Sequence, residues 1–280
     1  MKPAQLAINA ISTSREAPLP ETLAAYAAAG FAHVEFNIAR LRAFLHQGHS
    51  VADIARLLHD SGLGCIGGFE TALNPFAHSA SDRAARSDRH RQNAELLASL
   101  TRSDSRVTMV VGVEGPASGS AGGLDALTRT AETARDLVET FPPNVALAIE
   151  FNWGPVVRSI KAAHHTVRLA GHPRIGILFD PAHYHCTACK LADLTPAVCA
   201  TILHVHVNDM PDKPQDYSHC NDDRVLPGQG HLDLPEIFST LESNGYTGLF
   251  SIEMFSQELW QMPPAKAAQR MYAAMAALCT

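Results

Sequence analysis

The chain has 280 residues and a mass of 30.1 kDa, and 46% of it is hydrophobic, which excludes disorder and collagen-like repeats. Lys and Arg number 22 against 28 Asp and Glu, a formal net charge of -6, so neither a nucleic-acid nor a membrane partner is expected. Six cysteines are too few for a disulfide scaffold, no apolar run reaches the ~18 residues of a membrane span, and the first twenty residues lack a signal-peptide core, so a reducing cytoplasm is expected.

Short β-rich runs alternate with helical patterns along the chain. The first strand is expected near 6–11, followed by STSREAPLP rather than the Gly-rich turn of a doubly wound dinucleotide fold. Gly30 falls after a helical run, where a left-handed residue ends a helix. The second strand is expected at 33–37. Val51, Ile54, Ala55 and Leu58 then follow the i, i+3, i+4, i+7 rule of an amphipathic helix. Further strands are expected at 64–69, 107–113, 145–151, 175–180, 202–207 and 249–254. The segment 115–123 (GPASGSAGG) reads as a flexible loop between strand and helix. Asp233 with Glu236 is a capping-box-like start for a helix carrying Leu234, Ile237, Phe238 and Leu241, and Gly245 marks its end. Eight βα units in a chain of this length predict a (β/α)8 TIM barrel, a single domain over residues 1–280.

In such a barrel the C-terminal ends of the strands converge on one face, which carries the active site. The fifth strand ends in Glu150. The sixth ends in Asp180, with His183 three residues on. The seventh carries His204 and His206 and leads to Asp209, and the eighth ends in Glu253. The second, third and fourth lead to Glu35, Glu70 and Glu114. A carboxylate ending an apolar strand is costly unless compensated. Four consecutive strands ending in Glu, Asp, His and Glu predict one divalent metal, Mn²⁺, Mg²⁺, Co²⁺ or Zn²⁺, held by Glu150, Asp180, His206 and Glu253. The bland alternative is salt bridges from Arg158, Arg174 or Arg224 across the barrel mouth. His204 and His206 share a strand face. His206 is nearer the C-terminal end, so it is the expected ligand and His204 a packed or supporting residue. Fifteen histidines against two Trp and five Tyr first suggest metal chemistry, yet only His206 and His183 receive a role at the site.

The motifs IEF at Glu150, FDPAH at Asp180, HVHVND at His206, DRVLPGQG at 223–230 and SIEMFSQELW at Glu253 resemble the xylose-isomerase-like TIM-barrel superfamily. The stretch from about 145 to 275 looks most like its inosose isomerase branch, while the first half resembles the family only in rhythm. The resemblance implies the same four metal ligands and a substrate contact at His183. It also implies proton transfer by Glu150 and Glu253, which would interconvert an α-hydroxy ketone through a cis-enediolate. Arg224 is a second candidate contact to substrate oxygens, with a plain surface charge in the DDR run as the alternative, and Trp260, Phe255 and Trp153 are candidate apolar walls, with simple packing between loops as the alternative for each aromatic.

PGQG (227–230) could cradle a phosphate through its N–H groups, but a tight turn is the preferred reading. SQELW after strand eight is acidic and bulky, which favours a neutral polyol ketone. HYHCTAC could hold zinc through His185, Cys186 and Cys189, a weak signal without a second CxxC. A dehydroshikimate- or inosose-type dehydratase could use the same four ligands. An endonuclease-IV-like nuclease is disfavoured, because Val225 stands in Asp223-Arg224-Val225 where those enzymes have His, and strands two to four lead to Glu rather than added histidines. A non-catalytic sugar-binding barrel and a homo-oligomeric assembly stay open.

Overall fold

The strands are apolar on both faces because both faces are covered, by helices outside and by side chains filling the barrel inside. In the computed structural model, which describes residues 1–101, 105–116, 123–154 and 156–279, the eight strands are β1 (Leu6–Asn9), β2 (His33–Asn37), β3 (Gly64–Phe69), β4 (Val107–Val111), β5 (Val145–Glu150), β6 (Ile175–Phe179), β7 (Ile202–Val207) and β8 (Phe250–Ile252). They pair in parallel in sequence order, and β1 closes the ring on β8 with Leu6 opposite Phe250. The expected (β/α)8 barrel is the observed fold. No helix among the described residues is long and apolar enough to cross a membrane.

The edges differ from the sequence expectation for local reasons. β1 stops at Asn9, whose side chain accepts from the N–H of Ile11 (3.0 Å) and starts a 3₁₀ turn. β4 stops at Val111, two residues early. Of the expected loop at 115–123, residues 117–122 lie outside the described residues. The register shifts between Val34 and Glu35, where β3 carries one extra residue opposite β2. Gly67 sits beside this bulge, and a Cβ there would lie 2.0 Å from the Thr108 carbonyl oxygen, so only glycine lets the chains approach.

The helices begin and end where local chemistry dictates. Ser50 and Asp53 form a reciprocal capping box on the helix Val51–Ser61, and Asp233 accepts from the N–H of Glu236 at the start of Leu234–Ser243. Gly30 ends Leu19–Ala29 at φ 109, where a side chain would be strained. That Ala-rich helix packs against the C-terminal helix Pro264–Ala276, which closes the outer layer beside β1.

Alternation along each strand splits the core in two. Leu147, Ile149, Phe179, Val205 and Phe250 face outward into the large strand–helix core. Val110, Ala148 and Leu178 form a small separate cluster inside the barrel. Above it the inward positions turn polar: Glu35, His204, His206 and Ser251 are all buried. The site therefore rests on a polar floor.

Candidate metal centre

Period-two alternation places Glu150 on the face of Ala148, His206 on that of His204, and Glu253 on that of Ser251. Asp180 follows β6 and caps the short helix Pro181–His185, its Oδ1 accepting from the N–H groups of Ala182 (2.8 Å) and His183 (3.1 Å). These bonds leave its Oδ2 facing the site. Glu150, Asp180, His206 and Glu253 each offer one ligand atom, and these atoms lie within 4.8 Å of one another.

His206 Nδ1 is the focus. Glu253 Oε2 is 3.1 Å away, Asp180 Oδ2 3.4 Å and Glu150 Oε1 3.7 Å. Nevertheless this buried nitrogen makes no hydrogen bond of acceptable geometry. An orphaned imidazole nitrogen amid three carboxylate oxygens is a donor set that a divalent cation completes.

Charge sorts the four groups. Burial, then the Glu253 carboxylate, push Glu150 up to about 8. Burial opposes ionisation of Asp180 and Glu253 as well, but Arg224 with His183 and His206 overcomes it at Asp180, and His206 with Arg224 overcomes it at Glu253, so both lie below the usual carboxylate range. Burial would likewise lower His206, yet Glu253 and Glu35 outweigh it and raise the imidazole well above its ordinary value.

Arg224 lies at the site, with its guanidinium turned to these carboxylates. Nη1 donates to Glu253 Oε2 (2.7 Å) and to the Glu253 carbonyl (3.0 Å), Nη2 lies 3.2 Å from Asp180 Oδ2, and Nε donates to the Cys220 carbonyl (2.7 Å). Its side chain is fully buried yet borders the cavity, so these donors hold the carboxylates at the edge of the space where a substrate contact is expected. His183 does face the centre, with Nε2 3.6 Å from Glu150 Oε1 and a buried Nδ1 without a partner.

Three supporting residues carry no role in the sequence reading. Asn9 Nδ2 donates to Glu253 Oε1 (3.0 Å), and Asn208 Nδ2 donates to Asp180 Oδ2 (3.0 Å). Glu35, fully buried, lies 3.0 Å from His204 Nε2 and 3.1 Å from His206 Nε2. The other strand-end glutamates do not join the centre: Glu70 binds Asn93 and Arg42, and Glu114 binds Arg86 and Asn74.

Above the four residues opens a cavity of about 410 Å³. Phe36, Phe69, Trp153 and Phe255 wall it, and Asn37, Asn152 and Asn221 supply amide groups. Trp260 does not line it. Its indole N–H donates to the Ile11 carbonyl (2.7 Å) and its ring lies under the Arg15 guanidinium, so it packs between loops. The PGQG turn offers no phosphate cradle, because Asp209 already fills it: its carboxylate accepts from the N–H groups of Gly228, Gly230, Leu232 and Met210. The two CTAC cysteines diverge. Cys186 contacts Ser218, whereas Cys189 accepts from the N–H of Ile160, and neither joins a metal-binding group among the described residues.

Comparison with known proteins matches this architecture. The chain is 31% identical over 146 residues to an inosose isomerase of Halalkalibacterium halodurans, which is 51% of this chain and 49% of that relative. The match thus spans about half the length of the curated relative. A 3-dehydroshikimate dehydratase of Pseudomonas aeruginosa is 29% identical over 251 residues, 88% of this chain and 37% of that one. The crystal structure of the IOLI protein with a zinc atom shares the fold at a TM-score of 0.85 and 22% identity, covering 98% of this chain and 97% of that one. The model of the xylose isomerase-like TIM barrel matches residues 23–278, and the chain belongs to that family.

Proposed function

We propose that this protein is a divalent-metal-dependent isomerase or epimerase of an α-hydroxy ketone, an inosose or ketose. The observation that carries the reading is the pair Glu150 and Glu253. They converge from β5 and β8 on one imidazole at the cavity floor, and their environments push them in opposite directions. Two carboxyl groups that meet at one point can take and return protons at neighbouring substrate atoms. Glu150, Asp180, His206 and Glu253 would hold one Mn²⁺, Mg²⁺, Co²⁺ or Zn²⁺, which supplies Lewis-acid stabilisation of negative charge on substrate oxygens.

The chain's own residues account for the rest. Glu253, kept ionised by Arg224 and oriented by Asn9, takes the carbon-bound proton. That proton is returned at the neighbouring carbon, and Glu150, ionised once a cation is bound, carries the hydroxyl proton of the first carbon to the former carbonyl oxygen. His183, whose Nε2 lies beside Glu150 at the cavity, hydrogen-bonds a substrate oxygen as charge develops on it. Phe36, Phe69, Phe255 and Trp153 exclude water from ring carbons, while the amides of Asn37, Asn152 and Asn221 suit hydroxyl groups. A small polyol ketone satisfies both kinds of wall.

A second reading is a dehydratase, favoured by the 88% coverage of this chain in the match to the Pseudomonas enzyme. It would share the base Glu253, whose captured proton would leave with the departing β-hydroxyl as water. The test of the primary reading replaces Glu150 and Glu253 separately by Gln. Each variant is expected to lose ketone interconversion by about 10²-fold or more. Wild-type rates in either variant would refute the assignment.

A further inference from the structure

We infer that Glu35 is a positioning residue, which engages the Nε2–H of His206 and so reserves Nδ1 as the ligating atom that faces the centre. The inference rests on the metal-centre reading above and extends it to a residue 171 positions away in sequence. The argument begins with donor arithmetic. An ionised carboxylate only accepts hydrogen bonds. Glu35 is fully buried, and both of its oxygens lie 3.1–3.2 Å from His206 Nε2, with Oε2 also 3.0 Å from His204 Nε2. Both imidazoles must therefore donate through Nε2. A neutral His206 that donates through Nε2 has its lone pair on Nδ1, the atom left without a hydrogen bond among three carboxylate oxygens.

His204 is the second half of the device. Its Nε2–H and that of His206 hold the same carboxylate from two ring planes inclined at 84°. The Glu35 carboxylate is thus anchored from two directions, and the His206 ring cannot flip without losing its partner. The bulge between β2 and β3 occurs at Glu35, opposite Gly67, in the same stretch of strand. Carboxylate–histidine pairs of this kind set the tautomer and orientation of a ligating imidazole and raise its basicity.

The experiment uses the full chain with Zn²⁺ and Co²⁺ as probes. In zinc-loaded wild type labelled with ¹⁵N-histidine, His206 is expected to carry its proton on Nε2 and show a metal-shifted Nδ1. Glu35→Gln keeps the side chain's shape but removes its charge. It is expected to bind Zn²⁺ roughly 10- to 100-fold more weakly in chelator competition and to shift the Co²⁺ d–d bands. Its metal-free melt stays cooperative. A His206 proton on Nδ1, or Zn²⁺ affinity in Glu35→Gln equal to wild type, overturns the inference. Should Glu35→Gln fail to fold, the wild-type tautomer alone decides. A wild type that takes up no Zn²⁺ refutes the metal centre itself. Normal uptake with an unaffected variant refutes only the role of Glu35.

Discussion

Loading the proposed centre with a divalent cation near pH 7 is expected to expel protons, because two of its four residues hold one. Glu150, pushed up to about 8 by burial and Glu253, is about nine-tenths protonated at that pH, and His206 is held as imidazolium by Glu253 and Glu35. Both must deprotonate to become ligands, so binding releases about two protons. Affinity is then expected to rise steeply with pH below 8, and less steeply once Glu150 has ionised. The metal-free protein pays the complementary cost. Glu150 is raised, so its contribution to stability is full below its ordinary value of 4.5 and is lost as pH climbs through about 8. At about 1.4 kcal/mol per unit this loss is on the order of 5 kcal/mol, comparable to the whole stability of a typical domain. His206 acts in the same direction. Asp180, Glu253 and Glu35 are lowered, so their contributions vanish as pH falls below the usual carboxylate range. Calorimetric titration with Zn²⁺ at pH 7, in two buffers of different ionisation enthalpy, counts the released protons directly. Release of fewer than one proton, with an affinity flat from pH 6 to 8, would refute the electrostatic account.

Arg224→Met leaves Asp180 and Glu253 buried without their guanidinium and is expected to destabilise the metal-free protein by about 3–5 kcal/mol. Thermal melts with and without Zn²⁺ check this, since bound cation should offset much of the loss. Asp209→Ala removes the carboxylate that gathers four backbone N–H groups of the 228–232 turn and its neighbour Met210. It is expected to cost about 3 kcal/mol in urea unfolding and to speed amide exchange at Gly228 and Gly230.

The barrel was legible because its signal is local. An apolar run that is buried on both faces, followed by an amphipathic helix with Ser50 or Asp233 at its start, needs no knowledge of distant residues. The convergence of Glu150, Asp180, His206 and Glu253 was legible for a related reason: closed parallel topology brings equivalent strand ends together, so sequence position stands in for space. Contacts that depend on side-chain direction were not. Glu35 looked equivalent to Glu70 and Glu114, yet it alone meets two histidines from β7, while the others find cations and amides at the rim. Arg224 stands in a charged DDR run with nothing to mark it as buried. Trp260 turns to the Ile11 carbonyl, and Asp209 occupies the N–H cradle of PGQG; both outcomes follow from loops meeting across the barrel mouth.

The measurement that tests the central claim most directly is NMR of a ketose and inosose panel in D₂O with the Mn²⁺- or Zn²⁺-loaded wild-type protein. The account predicts solvent deuterium entering carbon beside the carbonyl of at least one α-hydroxy ketone, with formation of its isomer or epimer. Loss of a β-hydroxyl without isomer formation would contradict the isomerase assignment in favour of a dehydratase. No exchange into any member of the panel would contradict proton transfer by Glu150 and Glu253 altogether.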